Sequence, residues 1–280
     1  MKFGSGGYRI RQVKYETPHE KYLDLANAVS EIHGKKVLEV GGSTPPKVVC
    51  AYSPNEWTSV NLDARAVTSA NEEARELKSV NYSAMCDDIR TLDRTGHYDL
   101  IYSVNAFEHI HNLDTALDRM FFALMQGGYL FTMFGPIWSS DVGHHLSIRT
   151  ENGHELNFFD GVLSPWEHLT SSREGVFAKL ARRYGESTAQ RAVSFIYDFY
   201  DLNRLAERDY MQIVRESRFS PVVILRHKVG RPPKLSAATS TREFLMILKK
   251  GPATQFERGK CLSKFALAFA GQQIRRRLLS

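Results

Sequence analysis

Residues 35–47, KKVLEVGGSTPPK, carry the pattern that decides the fold class of this chain. The run KVLEV at 36–40 is nearly all apolar, which indicates a strand buried on both faces, as in a parallel sheet. A glycine turn follows it, as in nucleotide-binding folds. A GxGxxG dinucleotide loop, however, needs later glycines where this chain has Ser43 and Pro45. The stretch therefore favours an α/β fold with a modified cofactor loop.

Strand and helix signals alternate on both sides of this stretch. A helix is predicted over residues 18–33, where Thr17 can cap its start and Gly34 ends it. The predicted strands are KVLEV at 36–40, TSVNLDA at 58–64, YSAMCDD at 82–88, YDLIYSV at 98–104, YLFTMFG at 129–135, PVVILRHKV at 221–229 and REFLMILKK at 242–250. Helices are expected between them at 47–52, 67–78, 114–125 and 188–217, the last broken near Asp201 and the third stopped by Gly127 and Gly128. The first five strands predict a doubly wound parallel sheet, and the whole order predicts a Rossmann-like seven-stranded sheet with helices on both faces and an inserted cap after the fifth strand.

Strand and helix signals stop alternating after the fifth strand. On this basis we divide the chain into four predicted regions. Residues 136–186 are rich in His, Trp, Ser and Gly and contain no strong strand signal. Segments of that length are usually functional or disordered, and aromatic patches argue against disorder. The regions are an N-terminal half of the main domain (1–135), an inserted cap (136–186), a C-terminal half of the main domain (187–250) and a basic amphipathic tail (251–280).

Composition limits the class of protein and its compartment. The chain has 280 residues, a formal charge of +6 and 42% hydrophobic residues, which is ordinary for a soluble globular protein. Its three cysteines show no paired spacing, so we expect a reducing compartment and neither a disulfide framework nor a zinc site. No secretory signal is recognised and no apolar stretch approaches the roughly 20 residues of a membrane span, so a cytoplasmic location is expected. The tail is expected to pack or to make a homo-oligomer contact, and peripheral attachment to an anionic membrane stays open.

Five motifs in order resemble those of class I S-adenosylmethionine-dependent methyltransferases. They are VLEVGGS at 37–43, VNLDA at 60–64, CDDI at 86–89, YDLIYSVNAFEHI at 98–110 and MQGGYLFTMF at 125–134. The resemblance covers roughly residues 17–135 and 200–250. It implies methyl transfer, with S-adenosylmethionine as cofactor and S-adenosylhomocysteine as product.

The resemblance assigns the loop after the first strand to the methionine end of the cofactor. Glu39 matches the acidic residue that orders the loop and the methionine ammonium. Gly41 and Gly42 allow the backbone to approach the cofactor closely. Ser43 can donate a hydrogen bond to the carboxylate, while Pro45 suggests a stiff, re-routed loop.

Residues after the later strands match the family's contacts to the nucleoside. Asp63 matches the acidic residue that accepts both ribose hydroxyls. Asp88, with Ile89 beside it, matches the pair that binds adenine, and Asp87 is an open alternative for that role. Ser103, on the fourth strand, is also assigned to the cofactor.

Polar and aromatic residues at the start of the cap suggest where the methyl acceptor binds. The segment GPIWSSDVGHHL at 135–146 places His144 and His145 where a base could take the proton of a hydroxyl, and we do not rank the two. Asp141 completes the predicted catalytic set. A metal site from Asp141 with either histidine was considered, but the spacing matches no strong ligand pattern, so no metal is expected.

A second group of residues is predicted to bind the acceptor itself. Aromatic rings among polar residues suit a sugar or another polyhydroxylated ring. The EH pair after the fourth strand is expected to shape the pocket. The predicted substrate-binding residues are Glu108, His109, Trp138, Trp166 and His168.

The sequence as a whole predicts an enzyme that O-methylates a hydroxyl of a sugar, a polysaccharide or another small molecule. DNA is not expected as a substrate, because no Pro-Pro-aromatic motif follows the fourth strand and no cysteine follows a proline. Two alternatives stay open. One is a methyltransferase acting on RNA or protein, and the other is a non-catalytic relative that serves as a binding or scaffold protein.

Overall fold

A computed structural model describes residues 18–42, 44–235 and 237–264. Its centre is a seven-stranded sheet in the order β3-β2-β1-β4-β5-β9-β8. The strands of this sheet are β1 (Lys36–Val40), β2 (Glu56–Asn61), β3 (Tyr82–Cys86), β4 (Tyr98–Val104), β5 (Leu124–Phe134), β8 (Ser220–Lys228) and β9 (Thr241–Lys249). The pairs from β3 to β5 are parallel, whereas β9 runs antiparallel to both β5 and β8. The predicted seven-stranded, Rossmann-like sheet is confirmed, although one of its strands, β9, is antiparallel.

Helices cover both faces of the sheet. They are α1 (Pro18–Val29), α2 (Pro46–Cys50), α3 (Ala64–Glu76), a 3₁₀ helix (Phe107–His109), α4 (Leu113–Ala123), α5 (Glu167–Thr170), α6 (Arg173–Tyr184), α7 (Glu186–Asp198) and α8 (Glu207–Glu216). One apolar core joins the sheet to α4 and α8 through residues such as Leu117 and Val214. A second core on the other face includes Leu25 of α1 and Val49 of α2. The sheet lies between these two cores, and the register of its strands fixes where each loop at the carboxyl ends of the strands begins.

The boundary between α4 and β5 differs from the prediction. Gly127 and Gly128 were expected to stop a helix, but they lie inside β5, which begins directly after Ala123. The pairing of β4 with β5 is irregular between Tyr98 and Leu100, where β5 skips from Leu124 to Tyr129. Gly127 has φ +82°, a conformation that glycine adopts without strain, so it accommodates the irregularity.

The segment after β5 forms a small cap with its own core. It contains a hairpin of β6 (Ser147–Arg149) and β7 (Glu155–Asn157), followed by α5 and α6. Its buried apolar cluster continues into α7 as far as Ile196. We therefore propose that the cap spans residues 136–198 and that the remainder of the main domain starts after α7.

Two predictions concern the tail and the membrane. Residues 255–264 are helical, while the rest of the predicted amphipathic tail, 265–280, lies outside the described residues. In the part of the chain that the structure describes, no helix combines the length and apolar character that crossing a membrane requires.

Candidate functional site

A cavity of about 500 Å³ opens at the carboxyl ends of four neighbouring strands, β1 to β4. Successive connections leave β1 in opposite directions, towards β2 and towards β4, and ligands of open α/β sheets bind at such a switch. The lining residues are Val40, Gly41, Val60, Asn61, Leu62, Asp63, Asp87, Asp88, Ile89, Arg90, Asn105, Ala106, His109, Ile110, His111, Phe199, Tyr200 and Asp201. The volume suits one ligand of cofactor size.

Glu39 holds the loop after β1 in place through hydrogen bonds. Its carboxylate accepts hydrogen bonds from the backbone N–H of Thr44 at 3.0 Å, from the hydroxyl of Thr44 at 2.6 Å and from Nε1 of Trp57 at 3.1 Å. Glu39 is buried and is not among the residues that line the cavity. Its observed role is thus the ordering of the loop.

The two glycines of this loop stand where side chains do not fit. Gly41 lines the cavity with φ +81°, and a Cβ there would lie 2.4 Å from Cβ of Ala106. A Cβ on Gly42 would lie 1.8 Å from Oγ of Ser59. Both contacts are far below van der Waals separation, so the loop packs backbone against its neighbours. Ser43, the third predicted residue of this loop, lies outside the described residues.

The end of β2 holds Asp63 at the cavity, where it also caps α3. Oδ1 of Asp63 accepts hydrogen bonds from the backbone N–H groups of Arg65 and Ala66. Asn61, which the sequence interpretation did not assign, donates to the carbonyl of Gly42 and accepts from the backbone N–H of Asp63. Its place at the last position of a buried strand was the available signal. Asn61 therefore connects the glycine loop to the capping turn.

The end of β3 supplies two carboxylates with different surroundings. Asp88 forms a two-pronged ion pair with the Arg90 guanidinium, and these hydrogen bonds lower the pKa of Asp88. Asp87 accepts through Oδ1 from the backbone N–H of Asp88 and, weakly, from the hydroxyl of Thr91. Both line the cavity, and Ile89 lines it as a buried apolar residue. Because Arg90 occupies both oxygens of Asp88, Asp87 is the more accessible carboxylate.

Two further residues line the cavity beside these carboxylates. Leu62 is 69% exposed although it is a large apolar residue, and it lines the cavity. Asn105, directly after β4, lines it with φ +52°. Ser103, by contrast, is buried and donates to the carbonyl of Val40, so it joins β4 to β1 and does not line the cavity.

Residues 199–201, which follow α7, also line the cavity. The ring of His111 stacks on Tyr200 at 4.4 Å between centroids, and Nδ1 of His109 bonds to the carbonyl of Asp201 at 2.9 Å. The break predicted near Asp201 marked this segment, but nothing in the sequence indicated that the segment would fold back over the end of β4.

Beside this part of the cavity Glu108, His109 and His145 form a cluster, of which His109 lines the cavity and the other two pack behind it. Each offers one ligand atom, and the three atoms lie within 4.8 Å of one another. Burial raises the pKa of Glu108 to about 8, and burial lowers the pKa of His145 to about 4. Burial also lowers the pKa of His109.

The other predicted acceptor residues are engaged in the packing of the cap. Asp141 forms an ion pair with Arg242, and Trp166 donates to the carbonyl of Thr239. His144 is buried, stands 5.4 Å from the ring of His168, and has its pKa lowered to about 3 by burial. None of these, nor Trp138 and His168, is among the described residues that line the cavity. The structure thus brings Glu108, His109 and His145 together and separates them from the rest of the predicted acceptor set.

Comparisons with known proteins agree with this geometry. The sequence profile of a family described as methyltransferase domain matches residues 11–185. Among curated proteins, none matches this chain significantly.

Solved structures share the fold at low sequence identity. A candidate S-adenosylmethionine-dependent methyltransferase from Listeria monocytogenes has 13% identity and a TM-score of 0.51, covering 84% of this chain and 100% of its own. The geranyl diphosphate C-methyltransferase from Streptomyces coelicolor A3(2), solved with Mg²⁺, geranyl diphosphate and S-adenosyl-L-homocysteine, has 13% identity and a TM-score of 0.52. That match covers 82% of this chain and 77% of the other. At such identities the likeness establishes the fold.

Proposed function

This chain belongs to the methyltransferase-domain family and is an S-adenosylmethionine-dependent methyltransferase, and we propose that it transfers the methyl group to a hydroxyl of a small molecule. The observation that carries the proposal is that one cavity is lined both by Gly41 of the glycine loop and by His109 and His111, which follow β4. A donor held by the loop would present its methyl group towards His109 and residues 199–201. A small hydroxylated acceptor fits there, a sugar among them.

We assign the donor contacts from one end of the cavity to the other. The backbone at Gly41 approaches the methionine part, and Asp63 accepts from the ribose hydroxyls through Oδ2, since Oδ1 is engaged in the cap of α3. Leu62 and Ile89 pack against the adenine ring, and Asp87 accepts from its amino group. The carboxylates along this wall also favour the positive charge of a sulfonium.

Catalysis at this site depends mainly on positioning. The acceptor oxygen attacks the methyl carbon in line with the carbon–sulfur bond, whose electrons stay on sulfur, and the hydroxyl proton passes to solvent. Of the predicted catalytic residues, His145 contacts His109 of the cavity wall at 5.5 Å between ring centroids, whereas His144 and Asp141 are packed within the cap. We therefore place the assistance to proton removal in the group of Glu108, His109 and His145.

We place the acceptor end elsewhere than the sequence interpretation did. Trp138 and Trp166 were predicted to bind the acceptor, whereas the aromatic residues that line the cavity are Phe199 and Tyr200, which are 39% and 70% exposed. Exposed rings beside a polar wall are typical of surfaces that bind a flat or polyhydroxylated ligand. Tyr200 is accordingly the residue that we assign to acceptor binding.

Methyl transfer to defined acceptor classes tests the proposal. The protein is incubated with donor carrying a labelled methyl group and with separate pools of hydroxylated small molecules, amines, RNA and protein. We expect label and one added methylene mass on the oxygen of a small molecule. Transfer to nitrogen, RNA or protein would refute the acceptor class. Failure of the protein to bind donor at millimolar concentration would instead favour a non-catalytic relative.

A further inference from the structure

Glu108, His109 and His145 come from two parts of the chain that the fold brings together. Glu108 and His109 form the end of the 3₁₀ helix after β4, and His145 comes from the cap. His145 has φ +49°, a region that non-glycine residues rarely occupy. Held strain of this kind is common where a side chain must point in a fixed direction.

Each side chain of this cluster is oriented through one atom. Nδ1 of His109 bonds to the carbonyl of Asp201 at 2.9 Å, and Nδ1 of His145 bonds to the carbonyl of Gly143 at 3.0 Å. A carbonyl only accepts, so each Nδ1 carries the proton and each Nε2 presents a lone pair. Oε1 of Glu108 accepts from the backbone N–H of Gly135 at 3.1 Å.

Two other polar atoms of this cluster are buried without a hydrogen-bond partner among the described residues. Oε2 of Glu108 and Nε2 of His145 are fully buried and form no hydrogen bond to any residue that the structure describes. An unsatisfied buried polar group costs about 1–3 kcal/mol, so two such atoms on residues of one cluster indicate a ligand there. The Glu108 carboxyl is 1% exposed and has no cation paired with it among the described ion pairs.

From this geometry we propose that Glu108, His109 and His145 bind a divalent first-row transition-metal ion of the Zn²⁺ type at the acceptor end of the cavity. Two imidazole nitrogens and one carboxyl oxygen are a donor set that suits such ions, whereas Mg²⁺ and Ca²⁺ prefer oxygen ligands. Hydrogen bonds from ring N–H groups to backbone carbonyls are the usual outer support of metal-binding histidines. Three protein ligands also leave coordination positions open, as in catalytic sites.

The separation of the ligand atoms is compatible with a bound ion after a small movement. Ligands at about 2.1 Å from an ion lie roughly 3–4 Å apart, and the three atoms here lie within 4.8 Å of one another. His109 is the exposed member of the cluster, and a shift of about 1 Å that keeps its hydrogen bond to Asp201 can close the gap. An ion at this point would polarise an acceptor hydroxyl that enters from the cavity and make its proton easier to lose. That role rests on the proposed function, whereas the metal site itself does not.

Cobalt binding tests the site without donor or acceptor. The chain is freed of metal with a chelator and titrated with Co²⁺, whose visible absorption reports coordination by imidazole and carboxylate, and then with Zn²⁺ to displace it. We expect one Co²⁺ per chain, displaced by Zn²⁺ and not by an equal concentration of Mg²⁺. No absorption change up to millimolar Co²⁺ would overturn the proposal.

Variants locate the bound ion. His109→Ala is the main variant because the residue is exposed, and Glu108→Gln is the second because it preserves volume. Each should weaken Co²⁺ binding by at least about tenfold, while His154→Ala, an exposed cap histidine away from the cavity, should bind as the parent does. Equal loss in His109→Ala and His154→Ala would mean surface binding and would refute the site.

A separate measurement keeps this result apart from the proposed function. Donor binding is followed by calorimetry on the chelated protein. Donor binding without Co²⁺ binding refutes the metal site alone, and Co²⁺ binding without methyl transfer to a hydroxyl refutes the proposed reaction alone.

Discussion

Replacing Gly41 with alanine tests the loop that we assign to the methyl donor. The residue has φ +81°, and an added Cβ would meet Cβ of Ala106 at 2.4 Å. The left-handed conformation costs an L-residue about 1–2 kcal/mol, and forcing an extra methyl group into a packed contact adds about 1–3 kcal/mol. Because Gly41 also lines the cavity, we expect both lower stability and weaker donor binding.

A matched control separates the two contributions. Gly34 also has a positive φ, +69°, but no atom lies within 4 Å of the Cβ that alanine would add there. Gly34→Ala should therefore lose only the conformational part, about 1–2 kcal/mol, and should keep the parent's donor affinity. The difference between the two variants measures the contact with Ala106.

A rescue variant makes the reasoning refutable. Removing Cβ of Ala106 leaves its Cα as the nearest remaining atom at 3.7 Å, an ordinary contact. The double variant Gly41→Ala, Ala106→Gly should regain the contact part of the loss and keep the conformational part. Urea unfolding gives the stabilities, and calorimetry with S-adenosylhomocysteine gives the affinities. If Gly41→Ala binds like the parent, or if the double variant is as impaired as the single one, the close approach does not shape the donor site.

Three further predictions concern the cap of α3, the acceptor wall and the acid limb of stability. Asp63→Ala should lose donor affinity and, with the helix cap, about 1 kcal/mol of stability. Asp63→Asn, whose side chain caps a helix equally well, should lose donor affinity but keep its stability. Calorimetry measures the affinity and urea unfolding the stability, and unchanged donor affinity in both variants would refute the ribose assignment. Tyr200→Ala, at a residue 70% exposed, should raise the acceptor KM by a larger factor than the donor Kd. The Tyr200 side chain also interacts with Arg90 beside Asp88, so a small rise in the donor Kd is expected. A rise in the donor Kd that equals or exceeds that in the acceptor KM would contradict its place on the acceptor side. Burial lowers the pKa of His168 from 6.5 to about 4. Below pH 6.5 the unfolded chain therefore binds more protons at this residue than the folded chain does. The free energy of unfolding falls between pH 6.5 and pH 4 as a result, by up to about 3 kcal/mol from His168. His168→Gln should flatten that decline in unfolding measurements at several pH values, and an unchanged slope would show that His168 is not held neutral.

Local sequence patterns were sufficient to predict the sheet. Buried strands read as apolar runs, so β4 was predicted with the bounds that the structure shows, and β1 likewise. The glycine pair at 127–128 misled because glycine marks both helix ends and strand irregularities, and only the pairing of β5 with β4 decides between them. Short helices with little periodicity, α5 in particular, left no usable signal.

The residues that we assign to the donor could be predicted to lie together because they depend on strand ends. Gly41, Asp63, Asp87, Asp88 and Ile89 lie at or directly after the ends of predicted strands, and all line the cavity. Parallel strands bring their carboxyl ends together whatever the loops between them do, so a position in the sequence becomes a position in space.

The acceptor half depends on contacts between distant segments and could not be predicted in the same way. His144 and His145 are neighbours in sequence, yet one is buried in the cap and the other contacts His109 at the cavity wall. His145 has a positive φ, a local backbone conformation that the sequence pattern did not indicate. Residues 199–201 reach the cavity only because they fold back on the 3₁₀ helix, where Asn203 donates to the carbonyls of Phe107 and Ile110.

A crystal structure of the protein with S-adenosylhomocysteine tests most directly whether the cavity is the methyl-donor site. We predict electron density along the wall from Gly41 to Asp87, with adenine between Leu62 and Ile89 and the sulfur directed towards His109. Density at another place on the protein, or a cavity without ligand in crystals grown at millimolar S-adenosylhomocysteine, would contradict that assignment.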